Sequence, residues 1–528
     1  MNSNVECLVI GSGPSGVSAA MALLQKGCRV KMIDVGLTLE AERKNLLDKI
    51  SIQPVSQWDK SEILKLKGDM PSDSTGVQVK MLYGSDYPYR EATEQNQLSI
   101  PDASYKPSHA QGGLSTVWGG SILPFNDRDF ERWPIRANDM APHYRAVTEW
   151  MPVMATEDDL LSLYPLHGDS NQPTRPSRQT KYLLDKMARS RAKLRKAGVI
   201  FGQSRAAMSS NSCQSCGLCL YGCPYKLIYN SADTLLKLLD NPDFKYISGV
   251  RVDKIQETSS GVALSGVDSH SNQRWSTIGD RVFVGAGIIP TARIVLDSAE
   301  YYNHTLPILD SQYTLLPLAT TSTFPDIESE ALHTLCQLYL EIDDPQLSRH
   351  NIHCQLYTYS DLFKVAFQNS CKGLLQYLPF AHRQILSRLM IAICYLHSDD
   401  SSQLNLILDR PGVDLQRRMQ IDFKINPRTS RIEKSLAWKL FRYSRSLGIV
   451  PIVPMIHLAN PGRGYHNGGS FPMSLNPNGP QTDVLGRPFG WNRIHLIDAS
   501  VFPTIPAATI TYTVMANAHR IASNALQS

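Results

Sequence analysis

Val5–Gly36 reads VECLVIGSGPSGVSAAMALLQKGCRVKMIDVG. Val5, Leu8, Val9 and Ile10 make an apolar run that predicts a short buried strand. Gly11, Gly13 and Gly16 follow as G-x-G-x-x-G, Val17–Lys26 predicts a helix, and Gly27 ends it. Val30, Met32 and Ile33 predict a second strand that closes on Asp34. In such a βαβ unit the first glycine makes a tight turn. The second lets a pyrophosphate approach the backbone, and the third lets the helix pack against the sheet. The helix N-terminus offers unpaired N–H groups to the phosphates. Gly11, Gly13, Ser15 and Gly16 are therefore candidate dinucleotide residues, and Asp34 is placed to accept from a ribose hydroxyl. A bare G-x-G-x-x-G is a weak signal. Set between a strand and a helix, with an acid at the expected offset, it is a strong one for an adenine dinucleotide, without separating FAD from NAD.

The 528 residues allow roughly three domains. Forty-two per cent hydrophobic and 19% charged residues are ordinary for a globular chain, and a net charge of +5 is too mild to argue for nucleic acid. No run of about eighteen apolar residues is present, so no transmembrane segment is expected. No signal peptide is recognisable either, and a cytoplasmic location is expected. The nearest apolar candidate, Leu374–His397, is interrupted by Arg383 and Arg388 and reads as one or two amphipathic core helices. Ten cysteines without a secretion signal point to a reducing compartment.

Leu37–Ala110 is polar and proline-punctuated, and reads as short helices and long loops around the nucleotide unit. A second glycine-rich stretch, Gln111–Gly120 (QGGLSTVWGG), precedes Phe130–Ile135 (FERWPI). Lys181–Gly198 predicts a helix, Lys245–Thr258 and Gly261–Val267 a small hairpin, Arg281–Gly285 a buried strand, and Ala286–Ser298 a helix. Apolar residues then alternate around Leu338, Cys354, Leu406 and Ile421, which predicts an antiparallel sheet with one wet face. Ser430–Gly448 predicts a helix with a Ser430/Glu433 capping box and Gly448 at its end. Ile494–Ile497 predicts a strand, and a last helix begins near Ile510. The fold class is thus α/β: a discontinuous, Rossmann-like dinucleotide domain over 1–300, completed by 461–528, with a second α+β substrate domain built on an antiparallel sheet over 301–460. A cysteine-rich insert occupies 209–226.

The N-terminal βαβ unit, GGLSTVWGG, GAGIIPTARIVLDS and the C-terminal IHLIDASVFPTIPAATITYTVMANAHRIA together resemble the glucose–methanol–choline flavoprotein oxidoreductases. The resemblance covers both ends of the chain, is weakest over 301–460, and implies FAD. It implies that Gly112, Gly113, Ser115, Trp118, Gly119 and Gly120 line the flavin. It also implies that the backbone of Val252 meets the adenine, and that Ala286, Asp498 and Ala499 approach the cofactor. It places the catalytic histidine at His466, within GYHNGGSFPM, as the base that takes the alcohol proton while hydride goes to flavin N5. The second catalytic position, a histidine or asparagine in the family, falls on Thr509. A hydroxyl there donates or accepts one hydrogen bond but is no base at neutral pH. Val117 stands where some relatives attach FAD through a histidine, so non-covalent FAD is expected.

Cys213, Cys216, Cys219 and Cys223-Pro224 give C-x2-C-x2-C-x3-C-P, the spacing of bacterial ferredoxins. The readings are a [4Fe–4S] cluster with Cys223 or a distant ligand, a [3Fe–4S] cluster on three cysteines, or a metal-free loop; zinc pairs usually lie further apart. A cluster would favour a dehydrogenase of the bacterial branch that passes electrons to a protein or quinone. GGLSTVWGG followed by FERWPI is similar to sugar- or polyol-oxidising members. The leading expectation is an FAD-dependent oxidoreductase acting on a CH–OH group of a sugar, polyol or other alcohol. The rivals are an oxygen-using oxidase and a non-catalytic flavin relay.

Overall fold

The computed structural model describes residues 5–69, 71, 79–100, 105–364, 384–411 and 418–526. Its centre is a five-stranded parallel sheet in the order Ile494–Leu496, Arg281–Val284, Glu6–Ile10, Arg29–Ile33, Phe244–Ile247. The central strands are largely buried because both faces are covered, one by the helix Pro14–Gln25 and the other by strands Val250–Glu257 and Arg274–Gly279 of a small antiparallel sheet. The helix Pro14–Gln25 packs on the C-terminal helix Thr511–Asn524, which in turn packs on Ala137–Val147. The two chain ends therefore meet around one nucleotide unit, as expected.

The hairpin expected at Lys245–Thr258 breaks in two. Gly249 takes φ +79°. The chain before it, Phe244–Ile247, joins the parallel sheet, and the chain after it, Val250–Glu257, opens a three-stranded antiparallel sheet with Val262–Asp268 and Arg274–Gly279. The region read as one antiparallel sheet forms two. Leu338–Ile342 and Ile352–Tyr357 belong to a seven-stranded sheet. Gln403–Leu408 and Met419–Lys424 belong to a separate five-stranded sheet with Thr305–Asp310, Asn467–Gly468 and Leu98–Ser99. Only the second pair keeps a wet face; every residue of Leu338–Ile342 and Ile352–Tyr357 is buried. Strands from outside 301–460, such as Val199–Gln203, enter both sheets, so cuts at 300 and 460 do not separate sheet from sheet.

The described end of the Leu374–His397 run is helical only over residues 384–386. Leu389–Tyr395 is a strand between Tyr313–Thr320 and Ile352–Tyr357, and its apolar residues serve both faces of that sheet. Residues 374–383 lie outside the described residues, as do Cys371 and Pro101. The helix expected at Ser430–Gly448 starts earlier, at Pro427, where the Asn426 side chain accepts from the Arg428 N–H. Thr429 is buried and bonded to the Asp400 carbonyl, so the turn that Ser430 would cap is already helical. Ile432, Leu436 and Leu440 face the core, and Gly448, at φ +79°, closes the following turn. Among the described residues no helix is long and apolar enough to cross a membrane.

Candidate active site

A cavity of about 790 Å³ runs from the Gly11–Ser15 turn, past Gly285–Gly287 and Asp498–Ala499, to His466 and one face of the seven-stranded sheet. At its first end the glycines are needed for contact. A Cβ on Gly16 would lie 1.9 Å from the Gly11 carbonyl oxygen, so only glycine lets the helix start this close to the turn. Gly13 is extended at φ −64°, and a Cβ there would meet nothing nearer than Gly113 Cα at 3.9 Å. Asp34 accepts from the Ser12 hydroxyl and, at 3.2 Å, from the Tyr246 hydroxyl. Burial still pushes its carboxyl up to about 6.

The second glycine stretch is fastened to the first. The Gly112 N–H donates to Ser12 Oγ at 2.9 Å, and Gly113–Thr116 makes one tight helical turn. Ser115 Oγ donates to the Gly112 carbonyl at 2.6 Å and accepts from the Ser231 N–H at 2.9 Å. The Trp118 indole N–H donates to the Tyr229 carbonyl at 2.8 Å, which turns the ring along the cavity wall beside Val117, Gly119 and Gly120. Across the cavity, the Asp498 carboxylate accepts from the Gly287 N–H at 3.1 Å, from the Thr291 hydroxyl at 2.6 Å and from the Ser500 N–H at 3.0 Å. It thereby holds the C-terminal segment and Ala286 against one point of the wall. Burial raises its carboxyl above the ordinary range. Gly16, Gly112 and Val252 do not line the cavity. Val252 is packed in the core between its strand and the helix Ile288–Ser298.

At the other end stand His466 and Thr509, both on the lining. His466 stacks on Tyr395, ring centroids 4.6 Å apart. Its surface faces the cavity rather than bulk water, so desolvation, helped by nearby His353, lowers the imidazole to about 3 and leaves it neutral. His466 Nδ1 and Thr509 Oγ1 have no protein hydrogen-bond partner among the described residues. The helix Thr511–Asn524 begins here, with Ile510 and Thr511 on the lining and no acid in its first turn, so its positive end faces the cavity.

Behind Tyr395 lies a polar chain that sequence reading missed. Glu341 and His353 are direct cross-strand partners. Both are fully buried, and His353 Nδ1 lies 2.6 Å from Glu341 Oε1. Gln355 Nε2 is 3.2 Å from His353 Nε2, and the Tyr357 hydroxyl donates to Gln355 Oε1 at 3.0 Å. Gln355 and Tyr357 line the cavity. The signal was present as one acid in LYLEI and one histidine in IHCQLY, each alone in an apolar strand, but only register pairs them.

Cys213 and Cys216 are half-buried, Cys219 and Cys223 buried, and all four are free thiols. Burial pushes Cys216 up to about 11 and Cys219 to about 12, with the neighbouring thiols adding to it. No three of these sulfurs come within 4.8 Å of one another, so the run is not gathered around a single ion such as zinc. The group that is that tight, His350–His397–Asp399, has its carboxylate engaged by Arg132 and Arg349. Cys219 and Cys223 line a second cavity, of about 190 Å³, that shares Lys80, Ser115 and Trp118 with the first. One layer of side chains separates the two.

Two family models match the chain, both described as GMC oxidoreductase, one over residues 102–307 and one over 455–518; together they span a little over half of it. No curated protein matches the sequence. Among solved structures, the chain is similar to pyridoxine 4-oxidase from Mesorbium loti, with a TM-score of 0.61 and 11% identity, covering 99% of this chain and 100% of that one. At that identity the likeness concerns the fold.

Proposed function

We propose, from the premise that this chain belongs to the GMC oxidoreductase family, that it is an FAD-dependent enzyme that oxidises a CH–OH group at the His466 end of the cavity. The observation that carries this reading is one cavity joining a glycine cradle to two buried polar atoms without a partner among the described residues, His466 Nδ1 and Thr509 Oγ1. The residues suit FAD. The Gly11–Ser15 turn and the helix behind it would receive the pyrophosphate, Asp34 the ribose, and Gly113–Gly120 with Asp498 and Ala499 the remainder. FAD supplies the hydride acceptor. His466, held neutral, takes the hydroxyl proton of the substrate on its unprotonated ring nitrogen. Thr509 Oγ1 donates to or accepts from the same oxygen. The Glu341–His353–Gln355–Tyr357 chain fixes the wall on which His466 and Tyr395 stack. Anaerobic mixing with a panel of alcohols tests this: bleaching of the flavin by at least one is expected, and no bleaching by any would refute it.

Attachment is non-covalent in this reading, because Val117 offers no nucleophile. Acid precipitation should leave all the flavin in the supernatant, and colour retained in the washed pellet would overturn the assignment.

The cysteine run supports a bacterial dehydrogenase branch that passes electrons to a protein or quinone rather than to oxygen. Cys213, Cys216 and Cys219, with Cys223 as a fourth donor, would hold an iron–sulfur cluster, a one-electron carrier that spaces its thiolates more widely than one ion does. The cavity wall shared through Lys80, Ser115 and Trp118 is what speaks for it. Iron and acid-labile sulfide measured after anaerobic purification should be stoichiometric with the chain. Hydrogen peroxide formed one-for-one with product, in a protein without iron, would assign an oxidase instead.

A further inference from the structure

We infer that the alcohol this site takes carries a large apolar body and is not a sugar or polyol; this rests on the CH–OH reading above. Three adjacent antiparallel strands, Tyr313–Thr320, Leu389–Tyr395 and Ile352–Tyr357, turn alternate side chains into the His466 end of the cavity. Register sets Leu315 opposite Ile393, Pro317 opposite Ile391, and Tyr357 beside Ile391. The intervening residues, Leu316, Leu318 and Ala392, face the other way, into the core under the helices. The sheet therefore does not need its cavity face to be apolar in order to fold. Leu315, Pro317 and Ile393 are only partly covered, and Met455 and Ile456 line the same end.

The charged side chains on the lining are engaged elsewhere. Asp34 and Asp498 sit at the nucleotide end, held by the hydroxyls and N–H groups described above. Lys80 Nζ donates to the Trp118 carbonyl at 2.5 Å, and Arg463 lies beside Tyr89. The Gln355 amide is taken by Tyr357 and His353. The remaining polar groups on this wall are His457, whose Nε2 is buried without a partner among the described residues, and the hydroxyls of Tyr313 and Tyr395. Tyr313 and Tyr395 stand at the His466 end of their strands, so a hexose or hexitol would still lay several hydroxyls on Leu315, Pro317, Ile391 and Ile393. Each hydroxyl buried without a partner weakens binding by roughly tenfold or more. Each methylene laid on the sheet strengthens it by about fourfold. The reacting hydroxyl belongs at His466 and Thr509, and the rest of the molecule, an aryl, alicyclic or branched alkyl group, belongs on the sheet.

The test uses the flavin-loaded protein under anaerobic conditions. Cinnamyl alcohol, 4-isopropylbenzyl alcohol and cyclohexylmethanol are compared with glucose, sorbitol and glycerol by flavin bleaching and, separately, by calorimetric binding. The apolar alcohols should reduce the flavin with half-saturation at least about a hundredfold lower than any sugar or polyol. Ile391→Gln should raise that half-saturation roughly tenfold, with the limiting rate little changed. Bleaching by sugars or polyols alone would overturn the inference and leave the CH–OH reading standing. If no alcohol bleaches the flavin, that reading fails and the calorimetry decides. Saturable binding of the apolar set alone, weakened by Ile391→Gln, supports an apolar-ligand site. Absence of such binding overturns the inference.

Discussion

Replacing His466 with alanine is expected to leave FAD bound at full occupancy and to slow substrate-driven flavin reduction by about 10²–10⁴-fold, the usual worth of a positioned proton acceptor. Occupancy should survive because the cradle lies at the other end of the cavity, on Gly11–Ser15, Gly113–Gly120 and Asp498. Rate should fall because Thr509, which lines the cavity with His466, is a hydroxyl and no base at neutral pH. The wild-type pH profile carries a second signature. An ordinary imidazole gains its proton near 6.5, which would switch off a base as the pH drops through that value. Burial moves His466 down to about 3, so its neutral, competent form persists well below 6.5. Stopped-flow bleaching should therefore hold its rate constant from pH 7 to 5, with any loss from a His466 proton setting in only as the pH approaches 3. A fall centred on 6.5 would assign the base to another histidine. A His466→Ala enzyme that bleaches at the wild-type rate would remove His466 from the chemistry.

The parts that were legible beforehand are those in which one contiguous stretch carries both its pattern and its reason. Val5–Gly36 reads as strand, turn, helix and strand because its glycines, apolar run and terminal acid are all local. The helix at Thr511 and the strand at Ile494 were readable for the same cause. The seven-stranded sheet was not. Its strands come from seven separated stretches. One of them, YTLLPLAT, holds Pro317 at its middle, which argues against a strand until the sheet around it is seen. Leu338–Ile342 and Ile352–Tyr357 alternate in sequence, yet are buried on both faces, so alternation there marks which neighbour each side chain meets and not which side is wet. The same sheet carries the site features that went unread. Glu341 meets His353 across two strands, and the cavity floor gathers Leu315, Pro317, Ile391 and Ile393 from strands far apart in the chain. The similarity to sugar-oxidising members came from GGLSTVWGG and FERWPI. The first of these stretches lies on the cofactor side of the cavity and the second on an aromatic cluster of Phe125, Phe130, Trp133 and Phe502. Neither belongs to the three strands that supply Leu315, Pro317, Ile391 and Ile393.

Gly13→Ala is expected to give a folded protein that purifies without colour. Two neighbouring glycines differ in what a methyl group would do, and the difference separates folding from cofactor binding. At Gly16 an added Cβ would lie 1.9 Å from the Gly11 carbonyl oxygen, so Gly16→Ala has to push the helix off the turn and disturbs the parallel sheet as well as the cradle. At Gly13 the backbone, at φ −64° and ψ −179°, is one that alanine adopts freely, and the nearest atom to its Cβ would be Gly113 Cα, 3.9 Å away. The protein alone has room for that methyl group. A pyrophosphate drawn to the N-terminus of Pro14–Gln25 does not, because the second glycine of the motif is where phosphate and backbone approach most closely. Gly13→Ala should therefore keep the wild-type far-ultraviolet circular dichroism and lie within about 1 kcal/mol of flavin-free wild type in stability. Its flavin-to-protein absorbance ratio should fall at least about tenfold, and calorimetric titration with FAD should show the same loss. Gly27→Ala serves as the control. Gly27 holds φ +77° at the far end of the same helix with nothing within 4 Å of an added Cβ, so alanine there costs about 1 kcal/mol of backbone strain and no flavin. A yellow Gly13→Ala protein with wild-type occupancy would mean that the pyrophosphate does not rest on this turn, and the assignment of Gly11–Ser15 as the cradle would fall with it.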